Sequence, residues 1–198
     1  MSRQPSRAIV RGERIDNVSP KGGRSYARVR GLLQYFAYGR YADQIGQESK
    51  QRGAWLDQSG RVHPHDAVQQ WAKEKVHHFG YDHAYQLLLS TRDGQLSAAE
   101  FNRALQQGSD ISRVWEWRLM MHDDSDHQHA HAILFSHEKL APARYREWQQ
   151  AMQAELEQLQ AGRQRQLETT LALESEPPAG REQARGQIFS QDWELAND

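Results

Sequence analysis

The 198-residue chain contains no cysteine. Disulfides and thiolate metal sites are therefore excluded, and any bound metal must be held by histidine and carboxylate. Long apolar runs are also missing: no stretch of about 18 apolar residues occurs, so no membrane insertion is expected. The opening "MSRQPSRAIVRGER" lacks the apolar centre of a secretory signal, and a cytoplasmic protein is the expectation. Mean hydropathy is low, at −0.93, yet six tryptophans and seven tyrosines suffice for a core. A net charge of −1 excludes a uniformly basic or acidic protein. It conceals an asymmetry: residues 1–40 hold nine Lys/Arg against two acids, residues 141–198 six against ten. A basic arm of this kind suits an anionic partner such as nucleic acid, and equally a merely solubilising role.

Hydrophobic periodicity divides the chain into elements. "RAIVRGER" predicts a strand at about 7–14, and Val29, Leu32, Leu33 and Phe36 form the stripe of a helix with one buried face. Residues 39–64 are polar and contain glycine, which predicts a loop with a small hairpin around "AWLDQSGRV". "PHDAVQQWAKEKVHHF" predicts a helix and "AYQLLLS" a strand. In "LSAAEFNRALQQG", Ser97 and Glu100 form a capping box, and Gly108 is the expected stop. Strands follow at about 113–122 and 127–135, then a helix from Pro142 carrying Tyr145, Trp148, Met152, Leu156 and Leu159. The expected fold is one α+β domain over residues 6–162, with helices packed on an antiparallel sheet. Residues 163–198 are polar and are expected to form a loosely ordered or disordered tail.

What the chain has in excess lies between the last two strands. "MHDDSDHQHAH", residues 121–131, holds four of its ten histidines and three aspartates. A hairpin turning at Ser125 and Asp126 sets His122 opposite His129 and Met120 opposite His131. Alternation then brings His122, His129 and His131 to one face. Three imidazoles with open positions describe a catalytic rather than a closed structural metal site. Asp124 or Asp126 is placed to hold a ring N–H. The competing reading of the same residues is a solvated polar turn. His63, His65, His77 and His78 belong to no such pattern and are expected at the surface.

"HDDSDHQHAHAILF" resembles the third motif of the conjugative and mobilisation relaxases, HUH endonucleases with a three-histidine metal motif. His122, Asp124, Asp126, His129 and His131 fall on that motif, and His127 matches a histidine of some subgroups. Gln128 stands where proline is common, and Ala130 is smaller than usual. "SPKGGRSYARVRGLLQYFAYG" is similar to the first motif, with Tyr35 at the position of the nucleophile; Tyr38 and Tyr41 remain alternatives. "HAYQLLLSTRDGQLSAAEF" is similar to the second, with Ser90 as its serine. Together the motifs span about residues 8–136.

The resemblance implies a site- and strand-specific nickase acting at a plasmid or integrative-element transfer origin. A cation held by His122, His129 and His131 polarises the scissile phosphate, and Tyr35 forms a 5′-phosphotyrosyl intermediate that is later rejoined. Mg²⁺ or Mn²⁺ is the implied cofactor, although imidazole also accepts Zn²⁺ or Ni²⁺. Ser90, Arg24, Arg28, Arg30 and Arg40 are the implied DNA contacts, with single-stranded DNA as partner. Accessory mobilisation proteins and a type IV secretion coupling protein are the further partners implied.

Two other functions compete. A non-catalytic DNA-binding accessory of relaxase type needs no covalent chemistry. A histidine-triad nucleotide hydrolase would use "HQHAHAI", but it leaves His122 and Tyr35 without a role. Replication initiators place their histidines before the tyrosine; the only later tyrosine here, Tyr145, lies on the apolar stripe of the last helix.

Overall fold

In the computed structural model, residues 8–39, 51–91, 96–112, 116–122 and 128–175 are described. The expected α+β architecture is found. The strands are β1 (Ala8–Asp16), β2 (Trp55–Asp57), β3 (Val62–His63), β4 (His83–Thr91), β5 (Trp117–His122) and β6 (His129–Ser136). They form one antiparallel sheet in the order β1-β4-β6-β5-β2-β3. Among the described residues four helices interleave with them: α1 (Ala27–Tyr38), α2 (His65–His77), α3 (Ala98–Ser112) and α4 (Pro142–Ser175). No described helix is long and apolar enough to cross a membrane.

Side-chain alternation gives the sheet two apolar faces, each with its own helix layer. Leu87 and Leu89 of β4, Trp117 and Leu119 of β5, and Ala130, Ala132 and Leu134 of β6 meet α3 and α4 through Phe101, Leu105, Trp148, Met152 and Leu156. The opposite parity, Ile15, Ala84, Met120, Ile133 and Phe135, meets α1 and α2 through Val29, Leu33, Phe36, Val68, Ala72 and Val76. Strands covered on both sides cannot slip by one residue without exposing one set and burying polar groups.

Polar contacts fix the remaining joints. Asn102 of α3 accepts from the Trp117 indole N–H at 2.6 Å and donates to the Asp57 carbonyl at 3.1 Å. The β2–β3 turn closes around the Asp57 carboxylate, which accepts from Ser59, the Arg61 N–H and His63. Burial pushes that carboxyl's pKa up, but these hydrogen bonds outweigh it and hold the group well below the usual range.

Several expectations are corrected. Helix α3 does not stop at Gly108 but continues to Ser112. Gly108 is instead a close-approach residue, because a Cβ there would run into the Trp148 indole and crowd Met152 of α4. Helix α4 continues to Ser175, into the segment expected to be loosely ordered. Two compact units divide the chain, Met1–Ala161 and Gly162–Asp198; in the second, Leu167, Leu171 and Leu173 are exposed on helix. His63 and His65 are partly buried rather than surface residues, whereas His77 and His78 are exposed.

Two of the helical glycines, Gly108 and Gly31, should respond oppositely to alanine. Gly108→Ala is expected to destabilise by about 1–3 kcal/mol, the usual cost of overpacking. Gly31→Ala in α1, where a Cβ meets nothing within 4 Å, should stabilise by roughly 0.5–1 kcal/mol. Urea unfolding of both variants tests the difference, and a stabilising Gly108→Ala would contradict the packing described.

Candidate metal centre

The β5–β6 register is the expected one: His122 pairs with His129, and Met120 with His131. All three histidines therefore project from the α1–α2 face of the sheet. Their ring centroids lie 4.9 Å (His122–His129), 5.0 Å (His122–His131) and 5.4 Å (His129–His131) apart. One ligand-type nitrogen from each lies within 4.8 Å of the others, so the cluster can chelate a metal ion. His122 is fully buried, and His129 and His131 are half-buried, which leaves access from one side.

Hydrogen bonding sets the tautomer of the buried ligand. His122 Nε2 lies 2.8 Å from the Phe36 carbonyl oxygen of α1. A carbonyl only accepts, so Nε2 carries the proton and Nδ1 presents its lone pair. That Nδ1 stands 3.2 Å from His129 Nε2. Two nitrogens bound to one tetrahedral ion at about 2.0–2.1 Å are separated by roughly 3.3 Å, so this pair already has a chelating spacing. The donor set is three imidazoles without a described carboxylate. Imidazole nitrogen suits Zn²⁺ or Ni²⁺ better than the oxygen shells that Mg²⁺ and Mn²⁺ favour.

Helix α1 crosses the cluster with its last turn. Phe36 stacks on the His131 imidazole, with centroids 4.3 Å apart and planes at 19°. Tyr35 sits beside the same ring, edge-on at 6.4 Å, and is 41 % exposed. Its neighbour Tyr38 turns away: it is half-buried and packs edge-on against His65 at 5.1 Å. Gly39 ends the helix with a φ of 74°, and its N–H donates to the Tyr35 carbonyl.

Cross-strand rows show what else surrounds the cluster. Ser90 is the β4 partner of His129, and Ile9 is the β1 partner of Ser90. The next row runs Arg11, Leu88, His131, Met120, Trp55. Ser90 is thus directly beside a ligand, at the roughly 4.5–5.5 Å of paired strands. Arg11, exposed on the same face, belongs to the cluster's surroundings and was not anticipated; the alternation of "RAIVRGER" is the signal that assigns its face.

Other expected residues are not brought together here. Arg24 donates to Asp82 at 2.8 Å, beside the start of β4, which puts it roughly 23 Å along the strand from Ser90. Arg28 lies 3.8 Å from Glu13, and Arg30 is exposed on α1, both nearer the start of that helix than Tyr35. Arg40, Tyr41, Asp124, Asp126 and His127 lie outside the described residues.

Behind the cluster, Trp55 donates its indole N–H to His65 Nδ1 at 3.1 Å, and the Gln69 side-chain amide lies 2.7 Å from His65 Nε2. Burial pushes its pKa down, and the negative charge of Asp66 only partly opposes this. No protein-family model, curated protein or solved structure matches this chain significantly.

Two outcomes are expected. Zn²⁺ at about 100 times its Kd should stabilise the folded protein by up to about 2.7 kcal/mol, and His129→Ala should abolish that gain. Thermal unfolding with and without metal measures it; an equal gain in the variant would place the ion elsewhere. For His65 the folded pKa lies below the unfolded value of about 6.5, so the unfolded chain binds the proton first as pH falls. Its contribution is complete above that value and is lost as pH falls through the folded pKa. Urea unfolding at pH 7.5 and 5.5 should therefore show a larger acid-side loss in wild type than in His65→Gln.

Proposed function

We propose that this chain is a relaxase-type DNA nickase, a metal-assisted transesterase that cuts and rejoins one DNA strand at a transfer origin. The observation that carries this function is the meeting of Tyr35 with the histidine cluster. An exposed phenol from α1 stands beside a set of three metal-type ligands that comes from the β5–β6 hairpin, far along the chain. Metal-binding capacity alone supports many activities. A tyrosine hydroxyl next to it supports nucleophilic displacement at phosphorus.

His122, His129 and His131 would hold a divalent cation, which when bound would supply positive charge to a phosphoryl oxygen of the substrate. Tyr35 provides the attacking oxygen. Its phenol proton passes to solvent, the Tyr35 Oη–P bond forms, and the P–O3′ bond breaks; the departing O3′ takes a proton from solvent and becomes a 3′-hydroxyl. The 5′-phosphotyrosyl ester conserves the bond, and the reverse attack rejoins the strand. Ser90, paired with His129, is positioned for a contact with the sugar–phosphate chain near the break. Of the basic residues, Arg28 and Arg30 keep a role in holding single-stranded DNA. Arg24 serves instead as the partner of Asp82.

Labelled single-stranded oligonucleotides tiled across the DNA flanking the gene, incubated with Mn²⁺ and run on a denaturing gel, test this function. A covalent protein–DNA adduct is expected, and it should disappear in both Tyr35→Phe and His129→Ala. An adduct that survives Tyr35→Phe moves the nucleophile to Tyr38 or Tyr41. Retarded but never covalently attached DNA would overturn the enzyme in favour of a DNA-binding accessory.

A further inference from the structure

The last turn of α1 leaves carbonyl groups without partners inside the helix, as every helix end does. Here two of them are taken up from outside the helix. The Ala37 carbonyl accepts from the Arg52 N–H at 2.8 Å and the Phe36 carbonyl from His122 Nε2 at 2.8 Å, whereas the Tyr35 carbonyl keeps its ordinary helical partner, the Gly39 N–H. A helix C-terminus carries partial negative charge, which favours a proton on the imidazole nitrogen facing it. The helix end thus directs the opposite nitrogen, Nδ1, toward His129.

Phe36 also touches the cluster a second time. Its ring is buried and lies parallel to His131 at 4.3 Å, which limits rotation of that imidazole. One residue therefore constrains two of the three ligands, His122 through its backbone and His131 through its side chain. Its chain neighbour is Tyr35, and the peptide bond between them is part of the same helical turn.

We infer that Phe36 is a positioning residue that couples cation binding at His122, His129 and His131 to the placement of Tyr35. A bound cation would hold the three imidazoles in fixed orientations. A fixed His122 holds the Phe36 carbonyl, a fixed His131 holds the Phe36 ring, and the last turn of α1 is ordered with them. The reverse also holds, because coupling between two sites is reciprocal: loosening that turn weakens the cation. The metal half of this inference rests on the histidine cluster alone, and only the role of Tyr35 as nucleophile rests on the proposed nicking activity.

The first test uses the wild-type chain without DNA. Nitrogen-15 NMR of the histidine rings should show a proton on His122 Nε2. Adding Zn²⁺ should slow amide hydrogen exchange over residues 35–39 by about tenfold, with the amides of α2 little changed. A proton on His122 Nδ1 overturns the orienting role of the carbonyl. Zn²⁺ binding with unchanged exchange over residues 35–39 overturns the coupling and leaves the metal centre standing. No Zn²⁺ binding overturns both, whereas absence of a DNA adduct bears only on the nicking function. As a second variant, Phe36→Leu keeps the apolar bulk and the carbonyl but removes the stacked ring. Co²⁺ affinity, read from its visible absorption, should fall about tenfold, the usual effect of losing a partner that orients a ligand; unchanged affinity would remove the ring from the device.

Discussion

The pairing of His122 with His129 across β5 and β6 is the constraint on which the candidate site depends. In an antiparallel pair the side-chain period is two, so a shift of one residue would send His129 and His131 into the layer of α3 and α4 and leave His122 alone beneath α1. The apolar residues between them prevent this. Ala130, Ala132 and Leu134 face one helix layer while Ile133 and Phe135 face the other, and each set is buried only in the observed register. The geometry of the metal ligands is thus enforced by hydrophobic burial further along the same strands.

That dependence explains which parts of the site were legible in the sequence. Strand parity is a local property, and the spacing of His122, Met120, His129 and His131 sufficed to predict both pairing and face. The helix stripe of Val29, Leu33 and Phe36 was legible for the same reason. Phe36 read only as a core residue, because its contact to His122 spans 86 positions and uses a backbone oxygen that no side-chain pattern encodes. His65 was misplaced at the surface since its partner, the Trp55 indole, arrives from a three-residue strand.

One further misreading, at Gly108, and one unforeseen separation, of Arg24 from Tyr35, have physical causes. Gly108 carries the composition of a helix stop, but the helix passes through it. Its lack of a side chain is used by Trp148, which arrives from another helix and occupies the space. Arg24 is near Tyr35 in sequence and far from it in the molecule, because α1 rises about 1.5 Å per residue and carries its two ends to different parts of the sheet. Asp82, waiting at that other end, gives Arg24 a local partner.

The sheet order carries a consequence for the behaviour of the protein in concentrated solution. β1 is nine residues long and is the outermost described strand on its side, whereas the opposite margin, β3, has only two residues. A long outer strand offers backbone hydrogen-bonding groups to any passing chain, the usual starting point of sheet-to-sheet aggregation. Here Arg11, Glu13, Arg14 and Asp16 place charge along it, and Gly12 interrupts its β-propensity. The alternation that marks β1 as a strand therefore also protects it, and its charges serve colloidal stability whatever they contribute to a ligand.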